Sequence, residues 1–125
     1  MVHLPEEKAR VYHMHGVDFT SFAAGASGAR TLAAWRADFS PNTPGQAHAM
    51  TEEEVLYVLS GTLDIEMDDE SFTAGVGDCV VVPAGALFRV TNATPEPASA
   101  WVTSVIGMKA AMQAGGDQIA PPWAQ

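Results

Sequence analysis

Two of the four histidines, His13 and His15, lie two residues apart in the segment V-Y-H-M-H-G. Side chains two apart on a β-strand point to the same face, so a strand here would present two imidazoles together. Imidazole binds zinc, copper, iron and nickel. The pair predicts either two ligands of a metal site or, in the alternative interpretation, polar groups on a surface or a subunit interface.

A second group of candidates lies in two segments of the central chain. Residues 44–61 read P-G-Q-A-H-A-M-T-E-E-E-V-L-Y-V-L-S-G, and residues 77–92 read G-D-C-V-V-V-P-A-G-A-L-F-R-V-T-N. The first resembles the first cupin motif, in which a His-x-His pair precedes a Glu that is followed by a Gly, as Glu54 is by Gly61. The second resembles the second cupin motif, in which Gly and Pro-x-Gly precede a His and an Asn. The resemblance covers roughly the central 50 residues.

This resemblance implies an all-β fold, a double-stranded β-helix of the jelly-roll or cupin-barrel type. In the family, the two histidines of the first motif, its Glu and the histidine of the second motif bind a metal. Here His48 and Glu54 are retained, but Met50 and Phe88 occupy the other two positions. A thioether is a weak ligand for hard divalent ions, and a phenyl ring does not ligate them. The inherited site is therefore expected to lack a metal cofactor.

A divalent metal remains the alternative if the N-terminal histidines reach the barrel. His13 or His15 could then join His48 and Glu54 as ligands. Such a mixed set would leave open positions for substrate or water and would suit an oxygenase or a lyase.

Without a metal, His48, Met50, Glu54 and Phe88 are expected to converge on one cavity. A carboxyl group among apolar side chains is desolvated, which raises its pKa, and an imidazole nearby can act as general base or acid. Metal-free cupin-type isomerases and epimerases use a His with a carboxylate and an aromatic residue. The leading interpretation is a metal-independent isomerase, epimerase or cyclase in which His48 and Glu54 are catalytic, while Met50 and Phe88 bind substrate. A non-catalytic ligand-binding or sensor module is the alternative, so enzymatic activity stays open.

Other polar side chains offer less specific signals. Arg36 could bind an anionic part of the substrate or form a salt bridge. Tyr57 is expected to point away from Glu54, towards an interface. Cys79 is the only cysteine, which excludes an intrachain disulfide, and its place in C-V-V-V predicts a small buried side chain. The sequence contains no Ser-His-Asp order, glycine-rich phosphate loop or dinucleotide fingerprint.

Short apolar runs that alternate with turn residues at intervals of roughly ten must position these groups. Gly, Pro, Asn and Asp occupy the breaks, as expected for turns. The predicted strands cover residues 10–22, 30–39, 47–50, 55–59, 63–67, 70–74, 79–82, 87–92 and 100–106.

The chain is predicted to form one cupin domain over residues 1–125, with a core at about 30–107 and an N-terminal strand at 10–22. Residues 108–125 are expected to form a tail on the surface, with a helical turn at 109–113. Strands that begin near residues 30 and 100 carry apolar side chains on both faces, which predicts a homodimer.

Composition restricts the partners. The 125 residues include 6 Lys and Arg against 15 Asp and Glu, a formal net charge of -9. This charge disfavours nucleic acid and anionic membranes, so a small-molecule ligand is the expected partner. The first ten residues are charged where a secretory signal would be apolar, and no segment approaches the ~20 apolar residues that span a bilayer. A cytoplasmic protein is expected.

Overall fold

Short β-strands make up about half of the chain in a computed structural model, which describes residues 1–113 and 115–125. Single turns of 3-10 helix cover Glu6–Lys8, Gly25–Ser27 and Pro122–Ala124. The strands are β1 Arg10–Met14, β2 Val17–Ala23, β3 Leu32–Phe39, β4 His48–Met50, β5 Glu54–Ser60, β6 Leu63–Met67, β7 Glu70–Ala74, β8 Cys79–Val82, β9 Leu87–Thr91, β10 Ala98–Val105, β11 Ala110–Ala111 and β12 Gln118–Ile119.

These strands form two antiparallel sheets of six strands each. The first has the order β1-β2-β3-β10-β5-β8, and the second has the order β12-β11-β4-β9-β6-β7. Strands that are distant in sequence are neighbours in both sheets, as in a jelly roll, and the all-β prediction is confirmed.

The core lies between the inner faces of the two sheets. Burial alternates along β3, where Trp35, Ala37 and Phe39 are buried and the residues between them are partly exposed. The same period of two appears along β10, as expected for strands with one face towards a core. Leu63 and Val58 are fully buried. Apolar alternation therefore sets which side chains can face the interior.

The predicted N-terminal strand over residues 10–22 is wrong, because the chain turns back on itself within it. β1 pairs with β2 as an antiparallel hairpin whose turn is His15-Gly16. Both turn residues have positive φ, 51° for His15 and 79° for Gly16. Because His15 lies in the turn, it does not continue the strand face of His13. Period-two spacing alone did not reveal the turn.

The predicted surface tail is also wrong. Met108 and Trp123 are buried in the core, and Trp123 stacks on Phe19 with ring centroids 3.8 Å apart. The Ser21 hydroxyl donates to the Trp123 carbonyl oxygen at 2.7 Å. The expected helical turn at 109–113 is instead the short strand β11, which pairs with β4. Two-residue strands are too short to show a hydrophobic period, so no local pattern indicates this packing.

The outer face of the first sheet is partly apolar. Tyr57, Leu59 and Val81 are exposed, and Cys79 is exposed as well, so its predicted burial is wrong. In β8, Val80 and Val82 point inwards while Cys79 and Val81 point outwards. The homodimer stays a prediction. None of the helical segments in residues 1–113 and 115–125 is long and apolar enough to cross a bilayer.

Two glycines, Gly61 and Gly85, both have left-handed backbone but differ in the space around them. Comparing them distinguishes the cost of the backbone conformation from the cost of a steric clash. Gly61 has φ +71°, and a Cβ added there would lie 2.7 Å from the Pro97 carbonyl oxygen. Gly85 has φ +82°, and an added Cβ would meet nothing within 4 Å. We expect Gly85→Ala to lower the free energy of unfolding by about 1–2 kcal/mol, the cost of left-handed backbone. Gly61→Ala should cost clearly more in urea titration, and equal losses would contradict the close packing at Gly61.

Candidate functional site

A cavity of about 140 Å³ lies between the two sheets, with walls that are mostly apolar. Strands β2, β3, β5 and β10 of the first sheet and β4, β9 and β11 of the second contribute side chains to it. Methionines 14, 50, 108 and 112 add flexible thioethers to the lining. The aromatic lining residues are Phe19, Trp35, Phe39, Phe88 and Trp123.

The structure brings His48, Met50, Glu54 and Phe88 to this one cavity. His48 and Phe88 are cross-strand partners in β4 and β9, and their ring centroids are 4.2 Å apart. Met50 is two residues from His48 on β4, and Glu54 begins β5 in the other sheet. The four motif positions thus form one site even though they come from three strands in two sheets.

Glu54 is the buried carboxyl group of this site. It is 5% exposed, and its Oε2 has no hydrogen-bond partner. Desolvation in these apolar surroundings raises the pKa of Glu54 to about 8. Near neutral pH the side chain is therefore mainly a protonated acid, which can donate a hydrogen bond or a proton to a ligand.

His48 has the complementary protonation state. Its Nδ1 lies 2.8 Å from the Gln46 carbonyl oxygen. Because a carbonyl oxygen only accepts, Nδ1 carries the proton and Nε2 keeps a lone pair. Burial lowers the pKa of His48, and the bond to Gln46 only partly offsets this effect. His48 is a neutral base, and no hydrogen bond between it and Glu54 occurs among the described residues.

The N-terminal histidines separate. His13 is exposed and its Nδ1 contacts the Asp18 carboxylate, so it does not line the cavity. His15, in the turn of the β1-β2 hairpin, does line it. His13 therefore supplies no ligand to the cavity of its own chain.

Arg36 lies outside the site. It contacts Glu6 at 3.0 Å and Asp38 at 2.9 Å, and the hydrogen bond that it donates to Asp38 is the main cause of its raised pKa. It is absent from the cavity lining, because it alternates with Trp35 on β3. The predicted substrate contact of Arg36 is wrong for this cavity, and the salt-bridge alternative is the one observed.

The donor set does not fit the family's metal. Met50 and Phe88 line the cavity where two imidazoles would be needed, and a phenyl ring offers no ligand. Within residues 1–113 and 115–125, no group of three or more His, Cys, Asp or Glu side chains could hold a metal ion. His15 thus fails to complete a set with His48 and Glu54, although it lines the same cavity.

Several lining residues had no functional signal in the sequence. Trp123 belongs to the supposed tail, and Phe19 belongs to a strand with no motif. Trp35 both packs in the core and lines the cavity. Its alternation with Ala37 and Phe39 was the signal that could have placed it there. Gln46 was visible only as a motif spacer, yet it orients His48 and lines the mouth.

Known proteins resemble this chain in sequence over its central part. The sequence profile of the family described as "Cupin domain" matches residues 35–105. A 1-hydroxy-2-naphthoate 1,2-dioxygenase from Nocardioides sp. (strain KP7) is 31% identical over 62 residues, or 50% of this chain. The matched segment spans only 16% of that relative's length.

Solved structures resemble it in fold. The polyketide cyclase RemF from Streptomyces resistomycificus superposes with a TM-score of 0.75 at 16% identity, covering 84% of this chain and 79% of its own. A sugar phosphate isomerase of the cupin superfamily from Silicibacter pomeroyi DSS-3 gives a TM-score of 0.66 at 21% identity, covering 82% and 72% of the two chains. At these identities the likeness extends to the fold alone.

The raised pKa of Glu54 predicts a specific pH dependence of stability. A carboxyl group with an ordinary pKa of 4.5 and a folded pKa of about 8 stabilises the fold fully below pH 4.5. This contribution is lost as the pH rises through 8, and it amounts to up to roughly 5 kcal/mol. Urea titrations from pH 5 to 9 should show a decline in the free energy of unfolding that Glu54→Gln abolishes. The exposed neighbour variant Glu53→Gln should retain the decline, and a decline that persists in Glu54→Gln would contradict the assignment.

The missing ligands predict a gain of metal binding. The double variant Met50→His/Phe88→His would complete a set of three imidazoles and one carboxylate. We expect it to copurify with, or take up, close to one equivalent of zinc, nickel or manganese, measured by inductively coupled plasma mass spectrometry. The parent protein should stay far below this amount, and adding His48→Ala to the double variant should reduce it. Stoichiometric metal in the parent protein would contradict this prediction, because it would show that the side chains already present suffice to bind a metal.

Proposed function

Since this chain belongs to the cupin domain family, we propose that its barrel binds a small carbonyl compound and isomerises, epimerises or cyclises it by proton transfer. His48 is the proposed base and Glu54 the proposed acid. Met50 and Phe88 shape the apolar wall against which the ligand packs. The proposed chemistry needs no metal, because both proton carriers are protein side chains.

One observation carries the proposal: a neutral base and a protonated acid line the same apolar cavity. The bond from His48 Nδ1 to the Gln46 carbonyl leaves Nε2 free to accept a proton. The unpartnered Oε2 of Glu54 leaves a carboxyl group that a ligand oxygen can satisfy. General catalysis requires an acid and a base poised near the working pH, and environments that push two pKa values apart supply them.

The proposed step is a proton transfer next to a carbonyl group. His48 Nε2 removes a proton from the α-carbon, and the electron pair of that C–H bond forms the C=C bond of an enol. Glu54 delivers its proton to the carbonyl oxygen as the C=O π bond opens. Glu54 then takes back the enol proton as the C=O bond re-forms, and protonated His48 returns its proton to carbon. Delivery to the opposite face of the α-carbon, after the enol turns over in the cavity, gives an epimer, and delivery to another carbon gives an isomer. In a cyclase, the enol carbon would instead attack a second carbonyl of the same substrate, whose oxygen takes the proton from His48 while Glu54 takes back the enol proton.

The family context is compatible with this chemistry. A polyketide cyclase and a sugar phosphate isomerase share the fold, and cyclisation and isomerisation are the reaction types proposed here. Fold likeness supplies no substrate, since one fold hosts many reactions. The proposal therefore depends on His48 and Glu54 and not on the relatives' names.

Hydrogen–deuterium exchange tests the proposal without a known substrate. A panel of uncharged ketones in D2O, followed by proton NMR, should show α-proton exchange that the protein accelerates. Replacing His48 or Glu54 by Gln should each lower the rate by about 100-fold or more, the typical contribution of a general acid or base. His13→Gln is the matched control, because His13 is exposed outside the cavity.

The rate should also depend on pH in a bell-shaped manner. The acid limb falls as His48 is protonated, with a pKa below its ordinary value of 6.5. The alkaline limb falls as Glu54 ionises near pH 8. Full exchange activity in a His48→Ala/Glu54→Ala double variant would refute the proton-transfer assignment. Tight ketone binding without exchange would indicate a binding or sensor module.

A further inference from the structure

We propose that this cavity takes an uncharged, ring-containing ligand with one carbonyl or hydroxyl oxygen, and that it rejects carboxylated and phosphorylated compounds. The inference rests on the proposed function for the location of the site, and it names the chemical class of the ligand. It follows from which charges the cavity contains and from the shape of its walls.

The cavity has no permanent cation in its lining. The chain contains only six Lys and Arg residues, and none of them lines the cavity in the part of the chain that the structure describes. Arg36 is held on the outside by Glu6 and Asp38. Arg10 bonds to Tyr12 and Ser21 in the N-terminal hairpin. A carboxylate or phosphate would therefore enter without a guanidinium or ammonium partner.

The groups that are present also disfavour an anion. Glu54 becomes negative when it ionises, and a second negative charge beside it would raise the free energy of both groups. The net charge of -9 adds a repulsive field around the mouth. An unpaired anion in an apolar cavity loses its hydration, which costs several kcal/mol or more in proteins.

The walls suit a flat apolar ring. Phe19 and Trp123 stack face to face with an interplanar angle of 2°, so each ring covers one face of the other and the pair forms a rigid aromatic layer in the lining. The rings of His48 and Phe88 are tilted by 48° to each other. The Phe88 ring thus adds a second aromatic surface beside the His48 base. Methionine thioethers between such rings adapt to irregular shapes and contact aromatic groups favourably. A cavity of about 140 Å³ is close to the volume that encloses one aromatic ring in other proteins.

The unpartnered carboxyl group selects the polar part of the ligand. Glu54 Oε2 is buried without a hydrogen-bond partner, and a buried polar atom without a partner carries a cost in free energy. A ligand oxygen that accepts a hydrogen bond from the protonated Glu54 carboxyl group would remove this cost. A hydrocarbon leaves the atom unsatisfied, and an anion introduces the charge that the cavity disfavours.

Acetophenone, benzoate and phenyl phosphate provide a matched set of probes, because they share the ring and differ in the charged group. We expect the wild-type protein at pH 7 to bind acetophenone with a Kd at least tenfold lower than the Kd for benzoate or phenyl phosphate. Protein chemical-shift perturbations in NMR titrations measure all three. Perturbation of the Trp123 indole signal, and not of the Trp101 indole outside the cavity, would place the ligand in this cavity.

A charge-introducing variant tests the cause of the selectivity. Gln46 is exposed and lines the mouth, so Gln46→Lys adds the missing cation there. It should improve the affinity for benzoate at least fivefold. Ser71→Lys adds the same charge on exposed β7, outside the cavity. It should leave the ratio of the Kd values for acetophenone and benzoate unchanged.

The outcomes separate this inference from the proposed function. Benzoate or phenyl phosphate binding as tightly as acetophenone, or an absence of acetophenone binding, would overturn the ligand class. An equal gain from Ser71→Lys would show that net charge, and not the cavity, sets the preference. If acetophenone binds selectively but its methyl protons do not exchange faster with D2O, the ligand class stands and proton transfer is what fails.

Discussion

A carboxyl group buried without a partner in an apolar cavity can persist only if it stays neutral. Ionising such a group without compensation is among the most expensive changes in a protein interior, so the group shifts its pKa instead. Glu54 meets this constraint, with an unpartnered Oε2 and a pKa raised to about 8. The other residues that line the cavity include Met50, Leu56 and Phe88, and the described lining contains no Lys or Arg. These surroundings are compatible with a neutral Glu54.

The scaffold places the acid and the base on different sheets. Glu54 begins β5 in one sheet, and His48 begins β4 in the other, so packing of the two sheets sets their relation. His48 is fixed by cross-strand pairing with Phe88 and by the Gln46 carbonyl. The C-terminal segment adds Trp123 against Phe19 and so contributes to the apolar wall. Residues far apart in sequence thus create one low-dielectric space.

The fold and half of the site were predictable from local sequence. The strands at 63–67, 70–74 and 79–82 coincide with β6, β7 and β8, because turn residues bound each run sharply. The motif resemblance predicted that His48, Met50, Glu54 and Phe88 share a cavity, and all four line it. Such features depend on period-two geometry, which a sequence displays directly.

The other half depends on contacts that no local pattern encodes. A hairpin turn at His15 and Gly16 divides the segment that was predicted as one strand over residues 10–22. His13 lies on the exposed side of this hairpin, outside the cavity. Trp123 is buried where it stacks on Phe19, about a hundred residues earlier in the chain. Cys79 is exposed because its position in β8 sets its parity, which composition alone does not specify. Each of these is a tertiary effect.

The titration midpoint of the Glu54 carboxyl group is the most direct test of whether this cavity is an apolar acid–base site. Carbon-13 NMR of glutamate-labelled protein, with the Glu54 carboxyl signal assigned by its absence in Glu54→Gln, gives the titration midpoint of this one group. Burial of Glu54 in the apolar cavity predicts a midpoint near pH 8, with the group protonated at neutral pH. A midpoint near its ordinary value of 4.5 would mean that Glu54 is charged in the folded protein, and that the cavity is not the apolar acid–base site described above.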